Sequence, residues 1–253
     1  MTGRLTIVGL GPGDDALMTS RARDVLATAT DLVGYLPYVA RVPERPGQRR
    51  HASDNRQEID RARDALRLAA SGLKVAVVSS GDPGVFAMAA AVFEAIEHGE
   101  PAWRELEVEV IPGVSAMFAA AARLGAPLGH DFCALSLSDN LKPWDVVLRR
   151  LTASAAAGFV IALYNPISRA RPWQLGAAFD RLREILPPAT PVVFARAISR
   201  PDERVIITDL KNAVAENADM STLVLIGSAE TRRIERPSGE PWLYTPRRME
   251  ASS

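Results

Sequence analysis

The chain has a single cysteine, Cys133, and only three histidines, His51, His98 and His130, among 253 residues. One cysteine excludes an internal disulfide framework and suits a reducing cytosol. Histidines spread this far apart give no metal-ligand spacing, so no metal is expected. Lysine is scarce as well. It occurs only at Lys74, Lys142 and Lys211, so arginine supplies nearly all of the 30 basic residues, and 30 acidic residues balance them to zero formal charge. A neutral chain has no overall electrostatic drive toward nucleic acid or an anionic membrane. No apolar run approaches the length of a membrane span. A strand begins almost at the first residue, leaving no room for a signal peptide. A cytoplasmic protein with neither nucleic-acid nor membrane partners is therefore expected. The arginine excess fits either a compositional bias of the source genome or a polyanionic ligand held by guanidinium forks.

What the chain does have is three glycine-rich turns, each directly after an apolar run: Val8-Gly9-Leu10-Gly11-Pro12-Gly13-Asp14, Ser79-Ser80-Gly81-Asp82-Pro83-Gly84-Val85-Phe86, and Ile111-Pro112-Gly113-Val114-Ser115-Ala116. The runs Leu5–Val8, Val75–Val78 and Val108–Ile111 read as buried strands, and helix follows each turn. In an open parallel sheet such turns lie at the carboxyl ends of strands, where ligands bind. Helical spacing marks residues 16–29 and 55–72, the latter with Asp54 and Gln57 placed as a capping box. Residues 35–53, rich in Pro, Arg and Tyr, read as a long loop.

The second half alternates again, with strands at Phe132–Leu137, Phe159–Tyr164, Val192–Ala195, Val205–Thr208 and Leu223–Ile226, and helices at 143–154 and 172–186. Pro172 suits the first position of the latter helix. The short polar stretch 199–203 predicts a hairpin, hence a mixed sheet. Together these patterns give an α/β chain of two domains, residues 1–113 and 114–248, with a tail at 249–253.

The first turn tempts a dinucleotide reading, but Asp14 stands where the last glycine of G-x-G-x-x-G belongs. A carboxylate there competes with pyrophosphate for the same amides, and Pro12 removes a donor. Asp82 repeats the theme, either capping its own helix or facing a cationic or hydroxylated ligand. Ser115 is likewise a cap or a ligand contact. A phosphate-free ligand with hydroxyls and positive charge fits these turns, as S-adenosylmethionine does.

The three turns resemble those of the tetrapyrrole methyltransferases. Further stretches, Ser53-Asp54-Asn55-Arg56, Ala126-Pro127-Leu128-Gly129-His130-Asp131-Phe132-Cys133, Ser136 to Trp144, Tyr164-Asn165-Pro166, Arg171-Pro172-Trp173 and Trp242 to Arg247, are similar to the ring-contracting precorrin-3B C-17-methyltransferases of cobalamin synthesis. The resemblance implies the class III two-domain fold, with a mainly parallel N-terminal sheet, a mixed C-terminal sheet and S-adenosylmethionine between the domains, and a homodimer. It implies cofactor contacts at Pro12, Ser80, Gly81, Asp82, Val85, Ser115, Ala116, Asn165, Ala197 and Thr222. The tetrapyrrole would meet Gly11, Gly13, Asp14 and Arg56.

Methyl transfer of this kind needs alignment and desolvation more than a nucleophile. Ring contraction needs a group to take a proton and donors for developing charge. His130 and Asp131 are the candidates, ahead of Asp139, Asp54 and Cys133, although His130 also suits a packing role and Cys133 a core one. Carboxylate arms on the substrate could draw on Arg41, Arg45, Arg49, Arg50 and Arg56, or on Arg169, Arg171, Arg196 and Arg200. The competing readings are a C-11 or C-20 methyltransferase, an RNA or protein methyltransferase on the same fold, and a non-catalytic tetrapyrrole-binding protein.

Overall fold

The computed structural model describes residues 3–54, 57–168, 170–237 and 239–248. The chain divides into two compact units between Ser115 and Ala116.

The first unit is a five-stranded, wholly parallel sheet. Its elements run β1 (Arg4–Gly9), α1 (Ser20–Thr28), β2 (Asp31–Tyr35), α2 (Leu36–Val39), β3 (Arg49–Ser53), α3 (Glu58–Ala70), β4 (Lys74–Ser79), α4 (Met88–His98) and β5 (Glu107–Ile111). The strand order is β3-β2-β4-β1-β5. Alternate residues of the strands point to opposite faces. Leu5, Ile7, Val75 and Val77 pack with α3 and α4 on one side, while Val8, Ala76 and Val78 pack with α1 on the other. Both faces are covered, which is why these strands read as unbroken apolar runs.

Three elements correct the expected loop at 35–53, among them α2 at Leu36–Val39. β2 ends within it at Tyr35, and β3 forms the edge of the sheet from Arg49-Arg50-His51-Ala52-Ser53. An edge strand built of charged residues carries no apolar signal, and charge there also guards the open edge. The capping box at Asp54 and Gln57 does not form. Gln57 itself occupies the N-cap of α3 without a side-chain cap bond, and the Asp54 carbonyl accepts from Arg61 Nη2 at 2.6 Å.

The second unit continues with α5 (Ala116–Leu124), β6 (Gly125–Ala126), β7 (Phe132–Ser136), α6 (Trp144–Ala156), β8 (Val160–Tyr164), α7 (Gln174–Arg183), β9 (Pro191–Arg196), β10 (Arg204–Asp209), β11 (Thr222–Ile226), β12 (Arg232–Ile234) and β13 (Trp242–Tyr244). Its main sheet has the order β10-β9-β11-β8-β7. β9 and β10 form the predicted hairpin, β11 is antiparallel to both neighbours, and only β7 and β8 run parallel. The sheet is mixed, as expected. Pro172 lies outside α7, whose N-cap is Trp173.

The polar C-terminal segment is built into the unit. β13 pairs with β12 and with β6. Leu243 is buried, and the buried Thr245 hydroxyl donates to the Pro127 carbonyl at 2.6 Å. Gly129 lies in a turn closed by its N–H on the Ala126 carbonyl. Among the described residues no helix is long and apolar enough to cross a membrane, and no group of three His, Cys, Asp or Glu residues is placed to hold a metal.

Candidate active site

The strand order of the first unit puts β1 between β4 and β5, so the three glycine-rich turns emerge side by side. They are locked together through their backbones. Gly11 and Gly81 exchange hydrogen bonds, N–H to carbonyl, at 3.2 and 2.9 Å. A Cβ at Gly113 would lie 2.2 Å from the Gly81 carbonyl oxygen, and one at Gly9 would lie 2.7 Å from that same oxygen. Glycine is required here because no side chain fits between turns this close.

The acids of the turns accept from backbone N–H groups. Asp82 does not cap α4, whose N-cap is Ala87. Its carboxylate accepts from Gly84 N–H at 2.8 Å and from Gly113 N–H at 3.0 Å, stitching the second turn to the third. Asp14 folds back to accept from Ala16 N–H at 2.8 Å, capping a short 3-10 turn. Ser115 is buried just before α5, and Val85 and Gly13 are partly buried beside them.

A further residue completes this rim. Arg41, on the connection from α2 to β3, donates to the carbonyls of Leu10 at 3.0 Å, Gly11 at 3.2 Å and Gly13 at 3.3 Å, and to the Ser80 hydroxyl at 3.4 Å. No sequence motif marks this role.

In the second unit, antiparallel β11 brings its first residue to the end where β7, β8 and β9 finish. Thr222 pairs with Arg196, and Ser136 with Tyr164. Asn165 and Ala197 follow β8 and β9 directly, both with left-handed backbone (φ 51° and 47°). Such backbone is costly for a residue other than glycine, asparagine or aspartate and is commonest where a site demands it. Ser136 accepts from Asn165 Nδ2 at 2.9 Å and from Ser138 N–H at 3.3 Å. Ser136 opens a stretch that carries the family resemblance but is given no site role by the sequence; a hydroxyl closing an apolar strand is the available signal. The Thr222 hydroxyl is engaged with Asp219, donating to its carboxylate at 2.8 Å. Burial alone would raise the Asp219 pKa, but Arg196, Thr222 and the Ser221 N–H outweigh it and hold the carboxylate low.

His130 and Asp131 precede β7, so within this unit they stand at the opposite end of the sheet from Ser136, Asn165, Ala197 and Thr222. His130 Nδ1 accepts the Asp131 N–H at 2.7 Å. Cys133, within β7, packs on the apolar core, and burial pushes its thiol up despite a bond with Ser154. It is a core residue. Asp139 is paired with Arg171, which holds its carboxyl low.

The arginines expected to bind carboxylates are mostly committed within the chain. Arg41 serves the first turn, Arg49 binds Asp31, and Arg50 donates to the carbonyls of Val39 and Val42. Arg171 binds Asp139 and Asn140, and Arg196 binds Asp202 and Asp219. Arg45 is exposed. Asn55, Arg56 and Arg169 lie outside the described residues.

Residues 4–214 match the family of tetrapyrrole (corrin/porphyrin) methylases, and the chain belongs to it. It is 59% identical to a precorrin-3B C(17)-methyltransferase from Sinorhizobium sp over 98% of this chain and 97% of that protein. A crystal structure of the methyltransferase CobJ, 50% identical, superposes with a TM-score of 0.92 over 96% of this chain and 100% of that one. A uroporphyrin-III C-methyltransferase from Thermus thermophilus, solved with S-adenosylhomocysteine, is 26% identical with a TM-score of 0.68 over 90% of this chain and 98% of its own.

Proposed function

We propose that this chain uses S-adenosylmethionine to methylate precorrin-3B at C-17, with contraction of the ring to precorrin-4, in cobalamin biosynthesis. The full-length likeness to the Sinorhizobium enzyme carries this reading. The turns support it: two acids that already occupy backbone N–H groups, together with Pro12, leave no phosphate cradle, whereas hydroxyls and backbone groups suit an uncharged ribose and a sulfonium. S-adenosylmethionine supplies a methyl group activated on a sulfonium sulfur. In the first unit Pro12, Ser80, Gly81, Asp82, Val85 and Ser115 would hold it; in the second, Ala116, Asn165, Ala197 and Thr222. Gly11, Gly13 and Asp14 would border the tetrapyrrole, with Arg56.

The chain's own part in methyl transfer is to align and exclude water rather than to attack. For the contraction His130 and Asp131 are not carried into the proposal, because they stand at the other end of their sheet from Asn165, Ala197 and Thr222. A backbone N–H can only donate, so His130 Nδ1 is an acceptor and the neutral ring carries its proton on Nε2. The His130 Nε2–H is thereby left to donate a hydrogen bond. We further propose a cytoplasmic homodimer without nucleic-acid or membrane partners.

The test is incubation with S-adenosylmethionine and precorrin-3B, followed by mass and regiochemistry of the product. A new C-17 methyl on a contracted ring supports the reading, whereas turnover of precorrin-2 with precorrin-3B untouched overturns it. In the same assay His130→Ala and Asp131→Ala should leave turnover within twofold of wild type. Contraction slowed at least tenfold by either variant, about 1.4 kcal/mol in barrier, would return the pair to the mechanism.

A further inference from the structure

We infer that Arg41 is a positioning residue of the reaction, fixing the backbone of the first glycine-rich turn and the orientation of Ser80; the inference rests on reading these turns as the methyltransferase site. Its guanidinium reaches four acceptors: Nη2 donates to the carbonyls of Leu10 and Gly13, and Nη1 to the Gly11 carbonyl and the Ser80 hydroxyl. Four acceptors around one planar fork fix its position and theirs together. A lysine ammonium, with three donors on a flexible stem, cannot reproduce that geometry.

The consequence for the turns follows from peptide planarity. In a trans peptide the carbonyl and the next N–H point in opposite directions. With the Leu10 carbonyl drawn to Arg41, the Gly11 N–H is turned away from it, and it there donates to the Gly81 carbonyl. The Arg41 fork thus sets the bridge between the first and second turns. Asp82, one residue beyond that bridge, then ties on the third through Gly113 N–H. At Ser80 the oxygen accepts from Arg41, so the hydroxyl proton is directed elsewhere, available to a ligand.

Arg50 supplies a matched control. It lies in β3, the strand to which that connection leads, and also donates to carbonyls, those of Val39 at 3.0 Å and Val42 at 2.8 Å, but it touches none of the three turns. If arginines here merely brace the fold, Arg41→Gln and Arg50→Gln should behave alike. We expect Arg50→Gln to lower Tm while leaving the S-adenosylhomocysteine Kd, kcat and KM within twofold of wild type. Arg41→Gln and Arg41→Lys should weaken S-adenosylhomocysteine at least fivefold and lower kcat/KM for the tetrapyrrole at least tenfold. Arg41→Lys retains the charge and stem, so it carries the test should Arg41→Gln not fold. Folded Arg41 variants with all three constants within twofold of wild type overturn the inference. Wild-type protein that binds S-adenosylhomocysteine but leaves precorrin-3B unconverted would instead count against the proposed reaction, and the affinity of the Arg41 variants would still test the positioning role.

Discussion

At the scale of single residues, the structure shows polar groups used as internal ties more than as free reagents. Asp31 is the most buried example. Its side chain is fully covered, yet it accepts from Thr30 Oγ1 at 2.8 Å and from Arg49 Nη2 at 3.0 Å, with His51 Nε2 at 2.8 Å. Burial alone would raise its pKa; the bonds from His51, Arg49 and Thr30 outweigh that and hold it below the ordinary carboxylate value. A depressed carboxyl pKa stabilises the fold above the unfolded value, near 3.9, and that stability is lost as pH falls through the folded value. Asp31→Asn should therefore cost about 1–3 kcal/mol near neutrality, with a difference from wild type that shrinks toward pH 3. Urea melts across that range check it; a difference independent of pH would contradict the assignment. Catalysis should be untouched, because β2 and β3 begin at this cluster and the turns lie at the other end of the sheet.

Elements were legible in the sequence where one physical signal dominated. The central strands of the first unit announce themselves because both faces are buried, and the β9–β10 hairpin because a short polar link joins two β-branched runs. β3 was hidden because an edge strand of Arg, His and Ser has neither periodicity nor apolar character. β2 was hidden by its length and by Gly34, where a Cβ would lie 2.6 Å from Val78 Cγ2. The turns were legible as a site, but the use of their acids as acceptors for backbone N–H groups was not, since Asp82 reaches a residue 31 positions away. The C-terminal strand gave only an apolar triplet, yet it seals the segment that leads to His130. Ending the chain at Glu240 would remove β13 with its buried Leu243 and take from Gly125–Ala126 and the Pro127 carbonyl their partners in that segment. We expect a loss of at least 2 kcal/mol by chemical denaturation, from one buried leucine and two or more hydrogen bonds. An unchanged midpoint would show that the segment is dispensable.

On the scale of the whole molecule, the arginine bias is largely answered by the fold. Arg41, Arg50, Arg61 and Arg183 donate to main-chain carbonyls, and Arg49, Arg171 and Arg196 to buried or half-buried acids. A guanidinium suits both tasks because its donors are fixed in one plane. Substrate carboxylates must then rely on a small remainder, such as the exposed Arg45. Each unit carries residues proposed for the cofactor, on a different kind of backbone. In the first, glycine turns are interlocked by backbone contacts; in the second, left-handed residues stand at strand ends.

The central claim is that the interlocked turns form a phosphate-free site whose geometry depends on Asp82. Calorimetric titration of the intact chain tests it most directly. S-adenosylhomocysteine should bind wild-type protein with a Kd in the micromolar range and bind Asp82→Ala at least tenfold more weakly, about 1.4 kcal/mol, while NAD shows no saturable binding to either. Equal affinity of the two proteins for S-adenosylhomocysteine, or tight binding of NAD, would contradict the account.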